Sequence, residues 1–191
     1  MSRCLPTFFA LSAIVFILHG CAPAIIVGGA ASVAAIATDP RSAGTVIDDQ
    51  SIEFRIANEL YSDKELTNTA NISVTSYNHI VLITGETPTA ELRSRAYNIV
   101  KADRDVKRIY NEIKITKPLP LKARNYDSWL TAKVKSALLG AKEVDTLNIK
   151  VITSNTTVYL MGLTSHKNGE KTAQIVAQVQ GVRKVVKAFE Y

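Results

Sequence analysis

The sequence predicts an α+β protein built from two tandem copies of one α-β-β-α-β unit, each with a small three-stranded mixed sheet and two helices on one face. The first observation is an internal repeat: NISVTSYNHIVLITGET from Asn71 matches NIKVITSNTTVYLMGLT from Asn148 at an offset of 77. The second is hydrophobic periodicity, which changes from helical spacing to strand alternation in the same order in both halves. The third is the β-α-β step at the end of each copy, whose crossover makes two strands parallel.

Apolar residues four apart predict the first helix of each copy, and alternating apolar residues predict a hairpin after it. The helical positions are Ile52, Ile56 and Leu60 in the first copy, and Leu130, Val134 and Leu138 in the second. The hairpin positions are Ile72, Val74, Ile80 and Leu82 in the first copy, and Ile149, Val151, Val158 and Leu160 in the second.

A second helix and a last strand complete each copy. In the first copy we expect Thr87 to cap this helix and Pro88 to occupy its first position. The inward positions of that helix are Leu92, Ala96 and Ile99, and the last strand carries Val106, or Val182 and Val185 in the second copy. Because both helices lie on one face of a three-stranded sheet, the other face needs a cover, so we expect the two copies to pack against each other.

The first twenty residues have the pattern of a bacterial export signal. One arginine precedes an apolar run from Phe8 to Leu18, which is short for a membrane span, so residues 1–20 are predicted to be a signal peptide. Small residues before Cys21 resemble a lipobox, which implies that Cys21 is lipidated and becomes the first mature residue. The alternative is an ordinary secretory signal in which Cys21 has no such role.

The remaining chain divides by composition. Residues 21–47 are predicted to be a tether, because they are rich in alanine and glycine and only weakly hydrophobic; a second span is the alternative. The two copies then occupy residues 48–117 and 127–191, and a proline-containing linker covers 118–126.

The repeat resembles the BON domain. VYLMGL and GVRKV in the second copy carry the V-x-L-x-G and G-V-x-x-V patterns, and the first copy has Asp105 where the glycine of G-V would sit. With the signal, the lipobox and the tether, the whole chain resembles the DolP family of dual-BON outer-membrane lipoproteins from Gram-negative bacteria. This resemblance implies a non-enzymatic protein that supports outer-membrane integrity and is enriched at the division site.

The basic excess lies in the second copy. Between Ser42 and Pro118 there are ten Lys/Arg against eleven Asp/Glu, and between Leu119 and Tyr191 there are eleven against five, giving net charges of −1 and +6. A basic surface is compatible with nucleic acid, but an exported lipoprotein rarely meets it. Anionic phospholipid headgroups are the natural partner beside a membrane anchor, where each nearby Lys or Arg contributes about 1 kcal/mol.

The first helix of the second copy contains the only tryptophan. We expect this helix to begin at Asp127, with Asp127 or Ser128 as its cap. Trp129 then lies roughly 120° from the centre of the buried stripe, on a flank with small residues and a lysine. Such a flank suits insertion at a membrane interface, where the indole ring is buried and its N–H remains in water. The rival interpretation is that Trp129 covers the seam between the copies or the end of the core.

The family resemblance assigns anionic-phospholipid binding to this helix. The predicted lipid-binding residues are Trp129, Leu130, Ala132, Lys133, Val134, Ser136, Ala137 and Gly140, of which Leu130 and Val134 belong to the buried stripe. The same resemblance implies links to the outer-membrane assembly machinery and to regulators of peptidoglycan amidases, and a position on the periplasmic face of the outer membrane. An alternative function is a periplasmic scaffold that uses this helix to bind a protein.

We expect no enzymatic activity, metal or cofactor. His79 is predicted in a hairpin turn and His166 in a loop, both solvent-exposed, and neither has a carboxylate or cysteine at metal-ligand spacing. Glycine-rich phosphate loops and nucleophile elbows are absent from the sequence.

Overall fold

The computed structural model describes residues 39–146 and 148–191, and both copies have the predicted α+β architecture. The predicted signal peptide, Cys21 and the tether before residue 39 lie outside the described residues. The elements of the first copy are α1 (Ala43–Ser62), α2 (Lys64–Thr69), β1 (Asn71–Tyr77), β2 (Ile80–Thr87), α3 (Ala90–Ala102) and β3 (Arg108–Ile115). Those of the second copy are α4 (Leu121–Gly140), β4 (Ile149–Ser154), β5 (Thr157–Leu163), α5 (His166–Ala177) and β6 (Lys184–Glu190).

Each copy has one mixed three-stranded sheet, with strand orders β1-β2-β3 and β4-β5-β6. The hairpin strands are antiparallel, and the last strand is parallel to the central one, as predicted. Ile72 pairs with Gly85 and Ile149 with Gly162, so the two sheets have the same hairpin register. A side chain at Gly85 would place its Cβ 1.9 Å from the carbonyl oxygen of Asn71, which explains why glycine occupies this position of the repeat.

Each sheet buries one face against its helices. In the first copy the predicted stripe of Ile52, Ile56 and Leu60 packs with Leu92, Ala96 and Val100 of α3 and with the helix-facing residues of β2. In the second copy Leu130, Val134 and Leu138 pack with Val176, Val158 and Leu160 in the same way. The inward positions of both first helices are therefore confirmed.

The other faces of the two sheets pack against each other, as predicted. This seam between the copies is a third hydrophobic cluster, formed by Tyr77, Ile80, Leu82, Tyr159, Met161 and Ala188. Ile80 and Leu82 thus face the partner sheet, whereas Val158 and Leu160 face the helices, so the predicted hairpin sets combined opposite faces of the central strands. The error has a physical cause: a strand that is buried on both faces is apolar at consecutive positions and does not show which face is inner.

A buried aspartate in each first helix holds the hairpin turn of the same copy. Both turns have two consecutive residues with positive φ, Asn78 and His79 in one and Asn155 and Thr156 in the other. Asp49 accepts hydrogen bonds from both turn N–H groups in the first copy (2.7 and 2.8 Å), and Asp127 does so in the second (2.7 and 2.9 Å). These bonds stabilise a left-handed backbone that residues with a side chain adopt rarely.

Both first helices begin earlier than predicted. Helix α4 starts at Leu121, so Asp127 lies within it as a buried residue and caps nothing, and part of the expected linker is helical. Helix α1 starts at Ala43, inside the expected tether, with Ser42 as its N-cap. Hydrophobic spacing missed these extensions because their first turns project beyond the core and carry no buried apolar residue.

Three smaller predictions were also wrong. Thr89, whose hydroxyl accepts from the N–H of Leu92 (3.2 Å), caps α3, while Thr87 ends strand β2. Val106 and Val182 precede the last strands, which begin at Arg108 and Lys184. In each case the local signal was real but displaced by a few residues, which is the usual uncertainty of element boundaries.

Candidate functional site

Helix α4 presents an aromatic and basic surface on the side away from its core. Trp129 is 53% exposed, and its ring lies beside that of Tyr126, with the ring centroids 5.4 Å apart. The Nζ atom of Lys133 lies 5.0 Å from the centroid of the indole ring, a distance typical of a cation–π contact. We call Tyr126, Trp129 and Lys133 the aromatic–basic patch.

The loop after α5 contacts two residues of this patch. Gly181 has a φ of 107°, and a Cβ there would lie 2.6 Å from the hydroxyl oxygen of Tyr126, so the absence of a side chain makes room for the tyrosine. Lys133 donates a hydrogen bond from Nζ to the carbonyl of Gln180 (2.9 Å). Two of the three patch residues are therefore positioned by one loop.

The predicted lipid-binding residues fall into three groups. Trp129, Ala132, Ser136 and Gly140 are exposed, and Lys133 and Ala137 are half-buried. Leu130 and Val134 are completely buried in the second-copy core, so as surface contacts these two predictions were wrong. Their spacing of four places them on the stripe that stabilises the fold, on the far side of the helix from solvent.

Sequence reasoning missed one aromatic residue of the patch, Tyr126. Tyr126 was assigned to the linker, although its position three residues before Trp129 places both rings on one side of a continuous helix. Leu139 is 76% exposed near the end of the helix. A helix start at Leu121 would have revealed Tyr126 from spacing alone.

The positive charge near α4 is largely unneutralised. Among the described residues, Lys122, Lys133, Lys135 and Lys142 form no ion pair, whereas Lys150, Lys171 and Lys187 of the same copy each pair with a glutamate. Arg124, Lys167, Arg183 and Lys184 of this copy also form no ion pair among the described residues, so five of its eight unpaired cations lie on α4 or just after it. This arrangement is suited to an anionic surface.

Trp129 is not a residue of the seam between the copies. The seam cluster consists of strand residues from the two sheets, and α4 lies on the opposite face of its sheet. Trp129 is 53% exposed and belongs to neither the seam cluster nor the second-copy core cluster.

The histidines have structural neighbours. His79 is half-buried in its turn, with Nδ1 3.1 Å from the carbonyl oxygen of Asp105, so the prediction of full exposure was wrong there. His166 is exposed, as predicted, but it begins α5 and stacks on Tyr191 with ring centroids 3.7 Å apart. Within residues 39–146 and 148–191 no group of three His, Cys, Asp or Glu side chains is arranged to hold a metal ion.

None of the helices in the described part of the chain combines the length and the hydropathy that a membrane span requires.

Comparison with known proteins places the chain in a family. Residues 48–117 and 126–191 both match the BON domain. The Outer membrane lipoprotein DolP of Haemophilus influenzae is 35% identical over 181 residues, which cover 95% of this chain and 93% of that protein. The 21 kDa hemolysin of Actinobacillus pleuropneumoniae is 39% identical over 153 residues, covering 80% of this chain and 79% of that protein.

A solved structure was also matched, the C-terminal domain of CdsD, a structural protein of the type III secretion system of Chlamydia trachomatis. It is 17% identical, with coverage of 74% of this chain and 65% of that chain, and its TM-score of 0.29 carries no argument about fold or function. The two BON matches and the near full-length relatives do carry one: this chain belongs to the BON-domain family, as a two-BON member of the DolP family of outer-membrane lipoproteins.

Proposed function

We propose that this protein is a non-enzymatic lipoprotein that binds anionic phospholipid through the aromatic–basic patch of α4. The observation that carries the proposal is a tryptophan with half of its surface in water, held between a tyrosine and a lysine that has no acidic partner. Insertion of an exposed indole at headgroup depth is favourable, because its ring leaves water while its N–H stays hydrated.

The charge distribution supports an anionic bilayer over a neutral one. Four lysines along α4 and just after it have no acidic partner among the described residues, and each contributes about 1 kcal/mol near an anionic surface. Small exposed residues, Ala132, Ser136 and Gly140, lie along the same outer side and allow the helix to approach the membrane closely. The outer side of α4 therefore combines an exposed aromatic side chain, small residues and positive charge.

The membrane anchor belongs to the same proposal. Lipidation of Cys21 would hold the protein on the periplasmic face of the outer membrane, and a tethered domain meets the bilayer at high effective concentration. The wider role in this proposal is support of outer-membrane integrity, at the division site and with the assembly machinery that the family resemblance implies. A Cys21→Ser variant is expected to leave the membrane fraction; its retention there would contradict the anchor.

Vesicle co-sedimentation tests lipid binding directly. The fragment 36–191 is suitable because it forms one compact unit that contains all three hydrophobic clusters. We expect binding to vesicles that contain phosphatidylglycerol, little binding to pure phosphatidylcholine, and a loss of binding as salt rises. Trp129→Glu is expected to weaken binding on the order of tenfold or more, because it removes the indole and adds a repelled charge.

The repeat supplies a matched control. Ser51 occupies the position of Trp129 in α1, so Ser51→Glu introduces the same charge at the same place of the same fold. We expect Ser51→Glu to bind vesicles like the unchanged protein. Equal binding by Trp129→Glu and the unchanged protein would refute the proposal.

The alternative function is a scaffold in which the same patch binds a partner protein. Tryptophan, tyrosine and a basic neighbour are also typical of protein interfaces. Vesicle binding by purified components separates the two functions, because the scaffold has no need for anionic lipid.

A further inference from the structure

The two ends of the seam between the copies are equivalent by the repeat, yet they are filled differently. Helix α1 corresponds to α4 at an offset of 78, and strands β1 and β2 correspond to β4 and β5 at an offset of 77. Each end is formed by a first helix of one copy, the hairpin beside it and the sheet of the other copy. The two ends can therefore be compared position by position for the side chains that fill them.

One end, which we call the closed end, is filled by two cations. The Nζ atom of Lys150 lies 2.8 Å from Oε1 of Glu53 and 3.1 Å from the carbonyl oxygen of Ser76. Arg41 pairs with Asp49 (Nη1 to Oδ2, 2.6 Å), and its guanidinium carbon lies 3.9 Å above the ring of Tyr77. The carboxylates of Glu53 and Asp49 at this end thus each have a basic partner.

The other end, which we call the open end, lacks all four of these large side chains. Ser73 stands in place of Lys150, Thr131 in place of Glu53, Leu119 in place of Arg41 and Ser154 in place of Tyr77. The space they leave is a cavity of about 250 Å³, roughly the liquid volume of eight water molecules. The cavity is lined by both copies and by the N-terminal half of α4.

Two buried carboxylates line the open end, and neither forms an ion pair within the described part of the chain. Glu86 is 1% exposed, and among residues 39–146 and 148–191 its carboxylate accepts only from the side-chain amide of Asn71 (3.2 Å) and the N–H of Leu119 (3.4 Å). Asp127 is 7% exposed and accepts only the two turn N–H groups. Arg124, the one basic residue of the lining, is exposed and hydrogen-bonds to Asn71 (3.5 Å). A buried carboxylate that loses its basic partner is left as an uncompensated charge; Asp49 at the closed end has such a partner in Arg41, whereas the equivalent Asp127 has none among the described residues.

Unused hydroxyl groups complete the lining. The side chains of Ser73, Thr84 and Ser154 make no hydrogen bond within the described part of the chain, and Thr84 is 3% exposed. These hydroxyl groups are open to the cavity, so water or a ligand there can complete their hydrogen bonding. The cavity therefore offers negative charge together with hydroxyl groups that can both donate and accept.

We propose that the open end binds a small hydroxylated primary amine, whose ammonium group pairs with Glu86 while its hydroxyl group bonds to the serine and threonine side chains. At the closed end Lys150 and Arg41 pair with Glu53 and Asp49, whereas Leu163 is the counterpart of Glu86, so the carboxylate that would bind the ammonium is particular to the open end. Ethanolamine is the smallest member of this class, and it occurs both as a free amine and as a phospholipid headgroup. This site is distinct from the aromatic–basic patch and does not depend on it.

The test is a titration of the 36–191 fragment with ethanolamine, followed by backbone amide shifts in NMR. We expect saturable shifts at Ser73, Thr84, Thr131 and Ser154, and none with ethylene glycol, which lacks the ammonium. Vesicles of phosphatidylethanolamine, compared with phosphatidylcholine, then show whether a headgroup also reaches the site. Shifts with ethanolamine alone assign a free amine, and shifts with both assign either source. The absence of saturable shifts with ethanolamine overturns the proposal.

Two variants and one control keep the outcome specific. Glu86→Gln is expected to weaken ethanolamine binding on the order of tenfold, because the charged partner is lost. The double variant Ser73→Lys, Thr131→Glu installs the ion pair of the closed end, so it is expected to remain folded and to abolish binding. Trp129→Glu is expected to bind ethanolamine normally, which separates this site from the proposed function. Unchanged binding by the folded double variant contradicts the assignment, whatever Glu86→Gln does.

Discussion

Helices α1 and α4 are equal in length and alike on their inner sides, but their outer sides have diverged. Each has 20 residues, three buried aliphatic positions four apart and a buried aspartate that holds a hairpin turn. On the outer side, Ser51 and Arg55 of α1 correspond to Trp129 and Lys133 of α4. The inward residues maintain the fold in both copies, which leaves the outward residues of one copy free to acquire another role.

Free positive charge distinguishes the two outer sides better than exposed apolar surface does. Phe54 and Tyr61 of α1 are 75% and 78% exposed, more than Trp129 at 53%. Arg55, however, is neutralised by Asp103 (3.0 Å) and Asp105 (2.7 Å), whereas Lys133 meets only a carbonyl and the indole. The hydrogen bonds from Arg55 hold the pKa of Asp103 below its usual value, so this cluster stays charged and closed. Under the proposed function we therefore expect an anionic membrane to be attracted to α4 more strongly than to α1.

The largest expected effect is on the glycine that both hairpins share. Gly85→Ala places a methyl group 1.9 Å from the carbonyl oxygen of Asn71, and Gly162→Ala places one 2.4 Å from that of Asn148, both at positive φ. We expect a loss of about 4 kcal/mol in the free energy of unfolding for Gly85→Ala and a smaller loss for Gly162→Ala, measured by urea denaturation. Gly140→Ala, where no atom lies within 4 Å, is the control and is expected to leave stability nearly unchanged. Equal stability of all three variants would contradict the predicted clash.

The buried aspartates come next. Asp49 accepts from Ser76 and from both turn N–H groups and pairs with Arg41, whereas Asp127 accepts only the turn N–H groups. We expect Asp49→Ala to lower the free energy of unfolding by about 3 kcal/mol and Asp127→Ala by about 2 kcal/mol. The same urea denaturation measures both; a larger loss for Asp127→Ala would reverse the ranking derived from the contacts.

Asp49 also predicts a pH dependence. Burial alone would raise its pKa, but hydrogen bonds from Ser76, His79 and Asn78 and the pairing with Arg41 outweigh burial and lower it. A lowered folded-state pKa contributes stability above the unfolded value of about 3.9, and this contribution disappears as the pH falls through the folded value. We therefore expect the stability gap between the unchanged protein and Asp49→Ala to shrink below about pH 4. A gap that is constant down to pH 2 would exclude ionised Asp49 as its source.

A transfer of the patch to α1 is expected to have an intermediate effect. Ser51→Trp supplies the indole, and Asp103→Asn with Asp105→Asn frees Arg55. Introduced together into Trp129→Glu, these changes are expected to raise binding to phosphatidylglycerol vesicles about tenfold over Trp129→Glu alone. Ser51→Trp without the two asparagines is the control, and equal recovery by it would show that free charge is not the distinguishing feature.

The smallest effect is expected for Tyr126. Its ring supports Trp129, and a neighbouring aromatic ring is worth about 1 kcal/mol, so Tyr126→Ala is expected to weaken vesicle binding about fivefold. Asp48→Ala changes the equivalent position of α1 and is expected to leave binding unaffected. Identical partition of both variants into vesicles would remove Tyr126 from the patch.

The features shared by the two copies could be predicted from the sequence, whereas the first turns of α1 and α4, which extend beyond the core, could not. The repeat, the order of elements apart from the short helix α2, the parallel last strands and the buried stripes were predicted because they follow from spacing and periodicity. The first turns of α1 and α4 were missed because they carry no buried apolar residue. The turn-holding roles of Asp49 and Asp127 were missed because an aspartate near a helix start has the same pattern whether it caps a helix or bonds to a distant turn.

At the candidate site, exposure of Trp129 followed from its angle on the helix, but its neighbours did not. Tyr126 and Gly181 meet across 55 positions of the sequence, and only the fold brings them together. The open end was beyond sequence reasoning altogether, because its lining comes from two copies whose relative placement no local pattern describes.

Equal length of α1 and α4 makes them interchangeable parts. Because each spans 20 residues and the two are related by an offset of 78, an exchange of residues 121–140 with residues 43–62 keeps the buried stripe and the turn-holding aspartate at the same helix positions. A chain with the α4 sequence in both places would carry two aromatic–basic patches, and a chain with the α1 sequence in both would carry none. The repeat therefore provides a second position, that of α1, at which a copy of the surface helix α4 can be built into the same chain.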